Sequence, residues 1–145
     1  DMLRWFASTQ IRNVACLGGN IATASPISDM CPMLVASGAM VTIASKSGGT
    51  RTASLSTFFL GYRKVDLKPN EIIVDVRVPH TRANEFLRPF KQARRREDDI
   101  SIVTGGLRVL LAAQGDKWHV AEAAFAFGGG GNPSTPAPAN EPGEL

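Results

Sequence analysis

The chain has 145 residues and a mass of 15.5 kDa, enough for one domain with a real core or for parts of two. It is 43% hydrophobic and 20% charged, a globular rather than a disordered composition, and no apolar run reaches the roughly 18 residues that a membrane-spanning helix needs. The net charge is only +3 and scattered, with 7 Lys and Arg against 3 Asp and Glu in residues 1–70 and 9 against 10 in residues 71–145, which argues against a nucleic-acid face.

The chain opens on Asp1, and we expect it to be a piece of a longer protein. Residues 2–7, Met-Leu-Arg-Trp-Phe-Ala, read as the last turns of a helix. Residues 12–28 show no helical period but many small side chains, which let backbone approach backbone or ligand closely. Asp29 to Ser37 reads as a helix, capped by Ser28 or Asp29, with Pro32 in its first turn and Gly38 as its stop. Short strands follow. Met40–Ser45 alternates, with Val41 and Ile43 on one face, and Arg51–Leu55 is weaker. Phe58 to Lys64 is aperiodic, and Phe58, Phe59 and Tyr62 are expected in the core. Glu71–Val78 is the clearest strand: Ile72, Val74, Val76 and Val78 face one way, Ile73, Asp75 and Arg77 the other, and Pro79 ends it.

The polar stretch His80–Glu85 is the expected domain boundary. Phe86–Gln92 reads as an edge strand because of Pro89. A charged cluster, Arg94 to Asp99, comes next; Asp99 is expected to cap a short helix to Thr104, broken by Gly105-Gly106. Leu107–Ala113 and Lys117–Phe127 alternate as a hairpin turning at Gln114-Gly115-Asp116. The Gly- and Pro-rich end of the chain is expected to be disordered. Irregularly ordered strands and helices with short hairpins indicate an α+β fold.

Three segments can carry chemistry. Gly18 to Asp29 is a small-residue loop rich in hydroxyls, suited to wrapping a polar cofactor. Arg94-Arg95-Arg96-Glu97-Asp98-Asp99 can form a switchable charge network or tune a nearby redox group. Arg4-Trp5-Phe6 places two aromatics beside a cation, a pattern for stacking or cation–π contact. His80 and His119 have no second ligand at metal spacing. Cys16 and Cys31 form no CxxC and make neither a disulfide framework nor a zinc site; reduced thiols in a cytosolic protein are the simplest reading.

Taken together, Arg4–Ala7, Val14–Ile21, Thr23–Asp29, Phe58–Lys64, Phe90–Ala93 and Arg95–Ile100 resemble, in order and spacing, the FAD-binding domain of the xanthine dehydrogenase/oxidase group of molybdenum hydroxylases. The resemblance runs from residue 2 to about residue 129. It implies an α+β fold in two parts. Residues 1–79 resemble the second half of a flavin-binding (PCMH-type) subdomain with a mixed or antiparallel sheet. Residues 83–130 resemble the start of the C-terminal CO dehydrogenase flavoprotein-like subdomain, with 131–145 a disordered tail.

The resemblance also implies roles. Phe6 matches the aromatic against the isoalloxazine ring; Gly19, Asn20, Thr23, Ser28 and Asp29 match the loop along FAD. Ile72 and Ile73 lie where an aliphatic strand residue touches FAD, and Lys91 matches the lysine that meets the flavin from the second part. Arg4, Trp5 and Arg96 match a cation–aromatic cluster that controls a mobile loop, in which Asp98 sits near the flavin. Cys16 stands where the family usually has a serine on the FAD, Cys31 where it usually has an asparagine, and Arg94 where a small polar residue is usual. The function implied for the parent is purine hydroxylation, with electrons passing from iron–sulfur centres through FAD to NAD or oxygen. The parent is expected to carry iron–sulfur and molybdenum cofactors outside this chain, to form a homodimer, and to be cytoplasmic, with the peroxisome as the other location. Two alternatives stand beside it: an aldehyde-oxidase-like flavin domain, and a truncated, non-catalytic fragment without FAD.

Overall fold

The structure is a computed structural model, and it describes residues 2–129; the expected disordered tail, 131–145, lies outside the described residues. A 3-10 turn at Met2–Trp5 and a single helical turn α1 at Thr9–Arg12 lead into α2 (Leu17–Thr23) and α3 (Cys31–Ala36). Residues 12–28 therefore do contain a helix, against the expectation of none. Its glycines and alanine carry no apolar stripe, and Ile21 alone turns fully inward.

Helix α3 begins two residues later than expected. Ser28 still serves its first turn, because the Cys31 N–H donates to Ser28 Oγ at 3.2 Å. Pro32 sits in the first turn, and Gly38 ends the helix with the left-handed φ of 76° that favours glycine.

The first sheet has the order β2–β1–β5, all antiparallel, from β1 (Met40–Ser45), β2 (Gly49–Ser54) and β5 (Glu71–Arg77). Between them run α4 (Leu55–Phe58) and the small pair β3 (Phe59–Gly61) and β4 (Lys64–Val65). Val41 and Ile43 are fully buried, as their alternation predicts. In β5 the simple alternation fails. Thr42 pairs with Asp75 but Ile43 pairs with Ile73, so Val74 is an extra residue without a partner. This bulge resets the pleat. Ile73 and Val76 pack against the core, while Ile72 and Val74 are 66% and 57% exposed. Of the three aromatics expected inside, Phe58 is fully buried, Phe59 is partly buried edge-on against it, and Tyr62 is exposed.

The second sheet, β6–β7–β8, is an antiparallel meander of β6 (Glu85–Gln92), β7 (Val103–Gln114) and β8 (Lys117–Gly128). β6 is an edge strand, as Pro89 requires. The helix expected over Asp99–Thr104 does not form. Instead, Val103–Thr104 already belong to β7, and Gly105-Gly106 continue the strand rather than break it. The reason lies across the interface: a Cβ at Gly106 would fall 2.6 Å from Met33 Cα, so only glycine lets α3 lie this close on the sheet.

Leu34, Val35 and Ala36 of α3 join Val41, Ile43, Leu55, Phe58 and Ala126 in one continuous core, with Leu87 packed against it. The opposite face of this second sheet carries exposed Phe86, Phe90, Phe125 and Phe127. The two sheets and the helix between them make a two-part α+β architecture.

Candidate functional site

The loop from α2 to α3 and the segment from β6 to β7 meet at Asp29. Its carboxylate is buried and accepts from two donors of the second part of the chain. Lys91 Nζ lies 2.7 Å from Asp29 Oδ2, and Ser101 Oγ lies 3.0 Å from Oδ1. The two ionic side chains are 9% and 7% exposed, which makes this a buried pair rather than a surface contact. Lys91 also reaches the Trp5 carbonyl at 3.3 Å. Thr104 Oγ1, almost fully buried, donates to the Ser28 carbonyl at 3.3 Å.

Two clefts flank this junction. One, of about 310 Å³, is lined by Phe6, Asn20, Ser28, Asp29 and Asp98, together with Ile27 and Ser101. The other, of about 500 Å³, is lined by Trp5, Phe90, Lys91 and Arg94–Arg96. Four of the residues expected along a cofactor, Phe6, Asn20, Ser28 and Asp29, thus share one cleft with Asp98 of the charged loop, although they lie in separate parts of the sequence. The charged loop contributes to both, Arg94–Arg96 to the larger cleft and Asp98 and Asp99 to the smaller.

Phe6 is presented by a turn in which Ala7 has a left-handed φ of 45°. Arg12 clamps that turn, donating from one guanidinium nitrogen to the carbonyls of Phe6 and Ala7 at 2.8 and 2.6 Å. Asn20 Oδ1 accepts from Ser28 Oγ at 2.9 Å and lies 3.6 Å from the Cys31 thiol. Burial pushes the Cys31 thiol up from its ordinary range, so it stays protonated. Thr23 turns its hydroxyl back to the Gly19 carbonyl at 2.8 Å. Cys16 is exposed and occupies the position before α2 without a side-chain cap bond. Ile73 packs beside Gly18, while Ile72 points to the opposite face of β5. Cys16, Gly19, Thr23, Ile72 and Ile73 lie outside both clefts.

The cation–aromatic cluster is assembled. Arg4 and Arg96 stand 5.0 and 4.7 Å from the Trp5 ring centroid, within cation–π range. Arg96 thereby ties the charged loop to the first turn of the chain. Within the loop, the Arg95 N–H donates to Asp99 Oδ2 at 2.8 Å, and backbone donors, Arg95 first, hold the Asp99 carboxyl below its ordinary range. Asp98 takes a left-handed φ of 47° and is exposed.

One structural observation leaves room for a flavin nucleotide beside α2. A Cβ at Gly18 would meet Cys16 Sγ and Ile73 at 3.8–3.9 Å, and one at Gly19 only Cys16 Cβ at 3.9 Å. These are ordinary contacts, and neither glycine has a positive φ. Nothing within the described residues demands glycine there, so the small residues leave a surface that a ligand can approach closely.

Two residues of the site were not legible as such. Arg12 is an isolated cation whose partners are two carbonyls and the Thr9 hydroxyl, and Ser101 lies in the segment expected to be helical. The composition of the sequence carries no signal for either. Among the described residues no group of His, Cys, Asp and Glu is placed to hold a metal ion, and no helix is long and apolar enough to cross a membrane.

Comparison with known proteins finds two families along the chain. Residues 1–81 match the family described as FAD binding domain in molybdopterin dehydrogenase, and residues 88–141 match the CO dehydrogenase flavoprotein C-terminal domain. The chain is 54% identical over 129 residues to xanthine dehydrogenase 1 of Arabidopsis thaliana, covering 89% of this chain and 10% of that protein. It is 50% identical over 129 residues to xanthine dehydrogenase/oxidase of Gallus gallus, covering 89% of this chain and 9% of that protein. The chain thus spans about a tenth of the length of these relatives. Among solved structures, quinoline 2-oxidoreductase from Pseudomonas putida 86 superposes with a TM-score of 0.79 at 28% identity, over 94% of this chain and 45% of that one. The chain belongs to the family of FAD binding domains of molybdopterin dehydrogenases.

Proposed function

We propose that this chain is part of the FAD-binding region of a xanthine-dehydrogenase-like oxidoreductase, which passes electrons from iron–sulfur centres via FAD to NAD or oxygen during purine hydroxylation. In this reading residues 1–79 are the C-terminal half of the FAD-binding subdomain and residues 83–130 the start of the C-terminal flavoprotein subdomain. The observation that carries it is the cleft shared by Phe6, Asn20, Ser28, Asp29 and Asp98, built from both parts, whose Asp29 pairs with Lys91 of the second part.

When bound, FAD supplies the redox chemistry, taking up electrons and giving them up as hydride. The chain supplies position and electrostatics. Phe6 packs against the ring; Asn20, Thr23, Ser28 and Asp29 line the loop along the cofactor, with Gly19 leaving room for it. Cys16 and Ile73 border the side of Gly18, and Ile72 offers its side chain from the other face of β5. Lys91 brings its cation to the junction. Asp98 places a carboxylate where it opposes negative charge on a reduced flavin. The Arg4–Trp5–Arg96 stack holds the loop that carries Asp98. No side chain here needs to act as acid or base. The iron–sulfur and molybdenum domains of a homodimeric parent, in the cytoplasm or the peroxisome, complete the reading.

A second reading, a truncated fragment that binds no FAD, is favoured by one observation. Both oxygens of Asp29 already have protein donors. Titration of the 145-residue chain with FAD, followed by flavin fluorescence, separates the two. We expect binding weaker than about micromolar, because only part of the cofactor's surroundings is present. Unchanged flavin fluorescence up to about millimolar chain would overturn FAD binding by this chain and leave the second reading.

A further inference from the structure

Ser101 is 3% exposed, and its hydroxyl sits between two acceptors of the first part of the chain: the Ile27 carbonyl at 2.8 Å and Asp29 Oδ1 at 3.0 Å. The hydroxyl's single proton is shared between these two acceptors in a three-centre bond. The carboxylate already binds Lys91 through its other oxygen, so the two donors hold it at both corners and fix its rotation. Ser101 lies two residues beyond Asp99, where the charged loop ends, and next to Ile102, whose N–H closes the loop by donating to the Gln92 carbonyl at 2.7 Å. Ser101 therefore holds the floor of the smaller cleft from the exit of the loop that borders it.

We infer that Ser101 is a positioning residue: it turns the Asp29 carboxylate towards Lys91 and couples the charged loop to the pocket. The grip on Asp29 stands on the geometry alone, while its effect on a cofactor rests on the flavin reading proposed above. Loss of the hydroxyl leaves Asp29 with one strong donor and frees the loop exit from the α2–α3 loop. Strand β1, remote in the core, does not feel the change.

The test uses the 145-residue chain as wild type, Ser101→Ala, Asp29→Asn and the double variant, with residue-resolved amide exchange by NMR. Ser101→Ala is expected to speed exchange at the Cys31 and Ile102 amides by about fivefold, with Val41 and Ile43 within about twofold. In the Asp29→Asn background the added effect of Ser101→Ala shrinks, because the charged partner is gone. Equal acceleration in β1, no acceleration at Cys31 and Ile102, or an undiminished effect in the Asp29→Asn background would each overturn the inference. FAD titration is the separate arm. Ser101→Ala is expected to weaken binding about threefold or more, and unchanged affinity would overturn the coupling to the pocket. A wild-type chain that leaves FAD fluorescence untouched would sink the flavin reading, while the exchange data still decide the grip on Asp29.

Discussion

Replacing Lys91 by methionine keeps most of the length of the side chain and removes its charge. Asp29 would then keep Ser101 as its one side-chain donor, in a site where the carboxylate is 7% exposed. Breaking a buried pair by deleting one partner costs about 3–5 kcal/mol, because the remaining charge is left uncompensated. That is a large share of the roughly 5–15 kcal/mol that holds a domain of this size. At a urea dependence of about 2 kcal/mol per molar, the midpoint of unfolding falls by roughly 2 M. Trp5, whose carbonyl accepts from Lys91, reports the transition by fluorescence. The double variant Asp29→Asn/Lys91→Met removes both charges and is expected to regain at least about half of the loss. A loss below about 1 kcal/mol for Lys91→Met, the range of an exposed pair, would refute the reasoning. So would a double variant no more stable than the single one.

Gly106→Val forces a Cβ to within 2.7 Å of the Met33 nitrogen, and moving α3 off the sheet is expected to cost about 2–3 kcal/mol in urea unfolding. Cys16→Ser supplies the missing cap oxygen before α2 and is expected to raise stability by about 0.5–1 kcal/mol; an unchanged melting curve would count against the capping argument. The Arg51 guanidinium and then the Lys68 N–H hold the Glu71 carboxyl down to about 2, against an ordinary 4.5. A depressed acid stabilises the fold above its ordinary value, and that contribution disappears as the pH falls through about 2. Arg51→Met is therefore expected to flatten the loss of melting temperature on acidification from about pH 5 to 2, and an identical slope in the variant would contradict it.

The strands and the site were legible to different degrees. Val41 and Ile43 alternate with polar neighbours on a central strand, so period and burial agree. The hairpin at Gly115 was legible because its φ of 60° calls for glycine. The segment before β7 was not, because Asp99 resembles a helix cap locally. Its side chain instead accepts from Arg95 and Ile100 to shape the charged loop. The bulge was hidden because Ile72, Ile73 and Val74 are all aliphatic, and only pairing with Ile43 decides which one turns inward. At the site, Phe6, Asn20, Ser28, Asp29 and Asp98 were named from motif resemblance, and the structure brings them to one cleft. Ser101 and Arg12 were missed because their role depends on partners 72 and 5–6 residues away, which no local pattern records.

The unpaired Val74 has a consequence for how this strand tolerates change. It works as a phase shifter, so the inward parity of β5 differs before and after it. Two stretches of a strand that would otherwise be out of step can each match β1. A polar residue at Ile72 or Val74 leaves the core untouched, whereas the same change at Ile73 or Val76 strikes it. Deleting Val74 would restore a regular ladder and, in doing so, put one end of the strand inside out. Length at this point is therefore constrained more tightly than identity, and an insertion or deletion here does more harm than most substitutions.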